Sequence, residues 1–319
     1  MQLGTDIQRA KSLLQRGELV GIPTETVYGL AANAFDGNAV AKIYEIKNRP
    51  QFNPLIIHTN SIQKLAGWGI HLPAQALLLA KHFSPGPLTY VVEKSALIPD
   101  IVTAGHDSVA VRIPNHSLTL ELLALLDFPL AAPSANPSGY ISPTTAQHVF
   151  EQLGSKLPYI LDGGACNIGL ESTIISFISD MPKLLRAGGL PVEDIEQVLG
   201  SAIDKTSLIN NENPLSPGMT SKHYSPTKKL VIGLVQDYLD TYKPNEIAAI
   251  HYAEADAYLP LQNQFILSPE HNLNRAAQHL FAAMRVADKL DVKLIVADNF
   301  PQNGLGFAIN DRLKRAATT

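Results

Sequence analysis

The stretch Gly21 to His58, GIPTETVYGLAANAFDGNAVAKIYEIKNRPQFNPLIIH, narrows the folds open to this chain more than any other. Leu19 to Ile22 is an apolar, strand-like run that stops at Pro23, which has no backbone N–H to give a ladder. Thr24, Glu25, Thr26 and Tyr28 follow, so hydroxyls and one carboxylate gather where a strand ends. Gly29 then permits a turn or a close approach of backbone to a ligand. From Asp36 to Lys47, Ala39, Val40, Ile43, Tyr44 and Ile46 recur near a 3.6-residue period, which predicts a helix. That helix delivers Lys47 and Arg49 just ahead of Pro50, and Leu55 to His58 reads as a second buried strand.

Two cations two residues apart beside a proline suit an anion. Arginine offers a planar fork to phosphate or carboxylate, and lysine a compact charge. Basic residues in a helix's last turn also serve merely to complement its dipole, so the spacing leaves both readings open.

The rest of the chain repeats the theme. Helices are expected over Thr5 to Arg16, closed by Gly17, and over Pro73 to Phe83, broken by Ser84-Pro85-Gly86-Pro87. Leu88 to Val92 and Ser108 to Ile113 read as strands, the second carrying Arg112 just before Pro114. Leu130 to Pro133 runs into Ser134-Ala135-Asn136-Pro137-Ser138-Gly139, and Ser142 is expected to cap a helix from Pro143 to Gly154. Small hydroxyls, an amide and a helix N-terminus make an anion cradle, or an ordinary capped turn. Ile160 to Gly164 is strand then turn, Thr173 to Phe177 a strand, and Leu184 to Gly189 a strand ending in Arg186 and two glycines. Pro191 to Leu199 closes this region as a helix.

Ser201 to Lys229 is polar and rich in asparagine and proline, and reads as a semi-extended linker. Its segment Ser216 to Pro226 holds His223 and Tyr224, which a spacer does not need, so the segment packs on something or is a free tether. Beyond it the pattern is again α/β: strands at Leu230 to Val235, Ile247 to Ile250, Phe265 to Leu267 and Leu294 to Ala297. A helical stripe runs through Leu273, Ala276, Ala277, Leu280, Phe281, Met284 and Ala287, and reads as core. Gly304-Leu305-Gly306 precedes a last helix but lacks the remaining elements of a phosphate loop.

Composition sets exclusions. Hydrophobic residues at 45% and charged residues at 17% describe a globular chain, and 319 residues favour two domains. A net charge of -4 gives no global field that would draw nucleic acid. The single cysteine rules out an internal disulfide and a cysteine-based metal cluster. No basic-plus-apolar leader opens the sequence and no apolar run is long enough for a membrane span, so a cytoplasmic protein with no membrane partner is expected. The ten histidines form no metal-ligand spacing, and no G-x-S-x-G elbow occurs. Anion-binding parts without a covalent nucleophile suit phosphoryl or nucleotidyl transfer.

Eight segments in order carry a resemblance: PTETVYGL (Pro23 to Leu30), KNRP (Lys47 to Pro50), NPLIIH (Asn53 to His58), SPGPLTYVV (Ser84 to Val92), VAVRIP (Val109 to Pro114), APSAN-SG (Ala132 to Gly139), ESTI (Glu171 to Ile174) and RAGG (Arg186 to Gly189). Together they resemble the YrdC-type family, the L-threonylcarbamoyl-AMP synthases. SPGM…HYSP and the closing GLGFAINDRLKRAA resemble its long form, which has an extra C-terminal domain. The resemblance implies an open, twisted, mixed α/β sheet with a basic concave cleft over residues 1–200, a linker over 201–229 that packs on the cleft, and a smaller doubly wound α/β domain over 230–319. The implied reaction joins L-threonine, bicarbonate and ATP into threonylcarbamoyl-AMP and pyrophosphate. A separate transferase complex then uses the product on the adenosine next to the anticodon in tRNA. By the same resemblance Lys47 and Arg49 are catalytic, and Thr26, His58, Arg112, Ala132 and Ser172 line the threonine pocket. Arg49, Asn53, Ser108, Ser134, Asn136, Ser142 and Arg186 hold ATP, and Tyr224 closes over it. Mg2+ is expected with ATP and has no clear protein ligand. Ser108 stands where relatives often have threonine, and Thr220 and Ser221 where a basic and an aromatic residue are common.

Two other classes share the pattern. One is a module binding double-stranded RNA or tRNA on the basic face without turnover, which a steep salt dependence would reveal. The other is the carbamoyl-transfer domain of hydrogenase maturation, which carries zinc-finger cysteines that this chain lacks.

Overall fold

The computed structural model describes residues 2–206, 214–217 and 223–318. The N-terminal part opens with β1 (Gln2–Gly4), α1 (Ile7–Gln15), β2 (Val20–Ile22), β3 (Gly29–Asn33), α2 (Gly37–Lys47) and β4 (Ile56–His58). Then come α3 (Ile62–Gly67), α4 (Ala74–Phe83), β5 (Leu88–Glu93), α5 (Asp100–Thr103), β6 (Ser108–Arg112) and α6 (Ser117–Ala124). It closes with β7 (Leu130–Ala131), α7 (Ala146–Leu153), β8 (Tyr159–Leu161), β9 (Thr173–Ser176), β10 (Lys183–Arg186) and α8 (Val192–Leu199). The C-terminal part comprises β11 (Lys229–Ile232), β12 (Ile247–His251), β13 (Gln264–Ile266), α9 (Leu273–Lys289), β14 (Leu294–Ala297) and α10 (Leu305–Ala317).

Ten strands form one mixed sheet in the order β1-β8-β2-β3-β7-β4-β6-β5-β9-β10. Parallel pairs such as β4 with β6 alternate with antiparallel ones such as β5 with β6, where Thr89 faces Arg112. The second sheet is wholly parallel, in the order β11-β14-β12-β13. Ala248, Ile250 and Ile295 face α9 and α10 in one apolar cluster, while Ile247, Ala249 and Val296 turn to the other face with Tyr238 and Leu259.

The element that positions the site forms for local reasons. Asp36 caps α2 by accepting from the backbone N–H of Asn38 at 2.9 Å. Ala39, Val40, Ile43 and Tyr44 bury the expected face. Asn48 ends the helix in the left-handed region, φ 50°, a conformation asparagine tolerates better than most residues, and turns the chain so that Arg49 re-enters the protein. Gly29 is not in a turn but in β3, where a side chain would stand 3.2 Å from the Ala132 methyl; close approach is what it serves.

The cap expected at Ser142 is corrected. The helix is Ala146–Leu153, and Thr145 caps it by accepting from the His148 N–H at 3.2 Å. Ser142 instead donates its hydroxyl to Glu171 at 2.5 Å, which removes it from capping. Strands β1 and β3 and helices α3, α5 and α6 have no counterpart in the sequence reading. No helix among the described residues is long and apolar enough to cross a membrane.

Candidate active site

The ends of β3, β4, β6 and β10, with the loops after β2 and β7, enclose a cleft. Thr26, Arg49, His58, Arg112, Ala132, Ser134, Ser172, Arg186 and Tyr224 line it, all of them residues the sequence singles out.

One wall joins two motifs far apart in sequence. Lys47 is fully buried, and its ammonium donates to the carbonyl of Ser134 at 2.5 Å and to that of Asn136. Arg49 grips its own loop: Nε donates to the Asn53 carbonyl at 3.1 Å, and Nη2 to Asn53 Oδ1 at 2.6 Å and the Pro54 carbonyl at 2.9 Å. Asn53 thus orients Arg49 and lines a neighbouring depression rather than the cleft itself. Asn136 turns its amide N–H to the carbonyls of Pro137 and Tyr140, and its Oδ1 has no partner among the described residues.

The opposite wall holds Arg112. Its Nη1 donates to Thr26 Oγ1 at 2.9 Å and its Nε to the Gly86 carbonyl at 3.2 Å. Its Nη2 lies 2.7 Å from Glu25 Oε1, both side chains being about 95% buried, at 5%/5% exposure. Glu25 is therefore the fixed counter-ion of Arg112, a role the sequence reading did not give it. His58 stands beside Arg112 across the β4–β6 pairing, with Nδ1 unpartnered among the described residues. At the far wall Arg186 donates to the Ser172 carbonyl at 3.1 and 2.9 Å and to the Pro217 carbonyl at 3.1 Å.

Besides Asn53 and Asn136, which do not line the cleft, two more expected nucleotide residues lie off it. Ser142 touches it only through Glu171. Ser108 sits at the opposite end of β6 from Arg112, in a separate depression with Lys94, Asp107 and Leu215. Leu215, from the linker, packs on the Ile56, Ala110 and Ile174 face of the sheet.

Pro217, His223 and Tyr224 complete the lining of the cleft. Ser216 is fully buried, and Tyr224 is buried with φ 63° and its ring stacked 5.6 Å from Phe281 of α9. His223 lines both the cleft and the neighbouring depression, and so separates them. Thr220, Ser221 and Lys222 lie outside the described residues.

Electrostatically the cleft is a cage of buried cations. Burial, then Arg49, pushes the Lys47 ammonium well below its usual value. Burial lowers Arg49 to about 10, opposed by Tyr44 and aided by Arg186. Burial and Arg112 push His58 down to about 3, so it is neutral at physiological pH. Burial works to raise Glu171, yet Arg312 and Arg186 outweigh it and hold the carboxyl below its ordinary value. Such a cage favours an anion, which relieves the mutual repulsion of Lys47, Arg49 and Arg186.

Sequence reasoning missed Glu171 and Arg312 as parts of the site. The signal for Arg312 was its register: it falls on the stripe of Leu305, Ala308, Ile309 and Ala316, where a charge needs a partner. Among the described residues no three His, Cys, Asp or Glu side chains converge on a metal site.

Known proteins resemble this chain over nearly its whole length. A family model covering Sua5, YciO and YrdC, described as "Telomere recombination", matches residues 12–188. A second, described as "Threonylcarbamoyl-AMP synthase, C-terminal domain", matches residues 190–318. A Pyrococcus abyssi threonylcarbamoyl-AMP synthase is 40% identical over 98% of this chain and 94% of its own length. One from Bacillus subtilis is 41% identical over 98% of this chain and 92% of its own length. The crystal structure of P. abyssi Sua5 complexed with L-threonine superposes with a TM-score of 0.88 at 40% identity, covering 98% of this chain and 94% of that one.

Proposed function

The chain belongs to the Sua5, YciO and YrdC family, and on that premise we propose that it joins L-threonine, bicarbonate and ATP into threonylcarbamoyl-AMP, releasing pyrophosphate. The observation that carries this reading is the cage itself: Arg49, Arg112 and Arg186 around one cleft, with Lys47 locking its wall.

In this reading bicarbonate takes up a proton and loses water to give CO2, the threonine amine adds to that CO2 and gives up a proton to form a carbamate, and a carbamate oxygen attacks the α-phosphorus of ATP. Lys47 and Arg49 are the catalytic residues, neutralising charge on carbamate and phosphates as pyrophosphate leaves. Thr26, His58, Arg112, Ala132 and Ser172 form the threonine pocket. Neutral His58 suits it, since its Nδ1, unpartnered among the described residues, meets a ligand without adding to the repulsion. Arg49, Ser134 and Arg186 hold phosphates, Asn53 and Asn136 shape that wall, and Ser142 acts through Glu171. Ser108 reaches the nucleotide only if ATP extends along β6 beneath Leu215. Tyr224 roofs the reaction and keeps water from the adenylate. Mg2+ enters on the ATP phosphates as part of the substrate. Among the described residues Glu171 is the one carboxylate lining the cleft, and it is already engaged by Arg312 and Ser142.

The product serves a separate cytoplasmic transferase that modifies tRNA. We assign the catalytic domain to residues 1–200, the roofing linker to 201–229 and the accessory domain to 230–319. Threonine selection tests the pocket. A site built to bond a hydroxyl rejects the analogue lacking it, so L-valine should yield far less carbamoyl-adenylate than L-threonine by mass spectrometry. Equal yields would show that the pocket lies elsewhere.

A further inference from the structure

Arg312 belongs to α10, which packs with the second sheet, yet its side chain is fully enclosed and reaches the first. Nε donates to Glu171 Oε2 at 2.8 Å, Nη2 to the Ala187 carbonyl at 2.8 Å, and Nη1 to Asp311 at 2.7 Å. Its guanidinium carbon stands 5.0 Å from the ring centroid of Tyr224. Glu171 in turn takes the Ser142 hydroxyl, and both Glu171 and Tyr224 line the cleft.

Helical arginines ordinarily keep their heads in water. Stability alone is a poor reason to bury this one, because a buried ion pair is often matched or bettered by apolar side chains. Only a planar fork with two faces serves a carboxylate, a carbonyl and an aromatic ring at once. Lysine would keep the charge and lose that geometry.

We propose that Arg312 is a positioning residue for the reaction: the C-terminal helix uses it to hold Glu171 in the cleft wall and the Tyr224 ring in the roof. The inference rests on reading the cleft as the site of threonylcarbamoyl-AMP synthesis. It makes the second sheet's domain part of the site's geometry rather than an appendage. A roof that is not held opens to water, so the consequence falls on coupling. ATP is still cleaved, but less threonylcarbamoyl-AMP appears per ATP consumed, and the KM for ATP rises.

The experiment uses the full chain and its Arg312→Lys and Arg312→Gln variants, with thermal unfolding as the check on folding. Arg312→Lys is expected to stay folded and to lose tenfold or more in product per ATP. Tyr224→Ala added to Arg312→Lys should cost little more, since both changes free the same ring. If Arg312→Gln does not fold, Glu171→Gln/Arg312→Gln, which leaves no lone buried carboxylate, takes its place in the same measurement. A folded Arg312→Lys with unaltered yield and KM, or a fully coupled double variant, would overturn the inference. An unaltered chain without threonine-dependent pyrophosphate release would sink the underlying reading and the inference with it.

Discussion

His58 shows how burial decides a residue's chemistry. Its folded value of about 3 lies well below the ordinary 6.5, so the folded protein stays neutral there while the unfolded chain takes up a proton. Stability should therefore fall as pH drops from about 6.5 toward 3, by up to about 1.4 kcal/mol per pH unit from this group alone. His148, lowered to about 4, and His223 add to the same slope, so the informative comparison is with His58→Gln. Its unfolding free energy, measured by denaturant titration between pH 6 and 4, should change less steeply than that of the unaltered chain; equal slopes would mean that His58 titrates normally. At the catalytic wall, Lys47→Ala and Arg49→Ala should each lower pyrophosphate release by about 10²–10³, on the order of 2.7–4 kcal/mol of transition-state charge stabilisation. Near-normal release from either folded variant would remove that residue from the mechanism. These side chains were legible as a group because their chemistry is local: a Lys-x-Arg beside a proline announces a cation pair. Their counter-ions were not, since Glu25 meets Arg112 across 87 positions of chain and Glu171 meets Arg312 across 141.

At the scale of elements, helix α2 was readable because period, cap and stop agree in one short window. The helix after Pro143 was misread because two hydroxyls, Ser142 and Thr145, compete for its start. A carboxylate 29 residues away settles which one is free to cap. Helix α9 also carries buried charge, Asp288 among it. Asp288 accepts from Tyr140 Oη at 2.7 Å, Thr227 Oγ1 at 2.8 Å and the Lys228 N–H at 2.9 Å, tying the end of the linker to the loop after β7. Asp288→Ala strands three donors and should lower unfolding stability by about 1–3 kcal/mol, read from thermal or denaturant melts. An unchanged midpoint would mean that water replaces the carboxylate without loss. Tyr224 lies three residues before that junction and lines the cleft, so Tyr224→Ala should raise ATP cleavage that yields no threonylcarbamoyl-AMP, while coupling as tight as in the unaltered chain would leave the linker a tether.

Across the whole molecule, loops of the first part share an apolar cluster with the second. Val27, Ile141, Leu170 and Ala187 from the first part pack in one cluster with Tyr224, Phe281, Met284, Ile309 and Leu313. A chain ending near residue 205 would bare that face, and its melting temperature and turnover should both fall. Equal stability and full activity would show that the second part is dispensable. The α/β character of both parts could be read from the sequence because strands and helices differ in local period. Strand order could not, because pairings such as β1 with β8 join residues 157 positions apart, from Gln2 to Tyr159, and leave no local mark. The cleft was legible as a list of anion-binding parts; its cage, its paired carboxylates and the arginine from α10 arise only when distant elements meet. The most direct measurement of the central reading is pyrophosphate release from ATP, with L-threonine and bicarbonate supplied together and each withheld in turn. Release that requires both, matched one to one by threonylcarbamoyl-AMP, is the expected result; release indifferent to threonine, or none with all three substrates present, would contradict it.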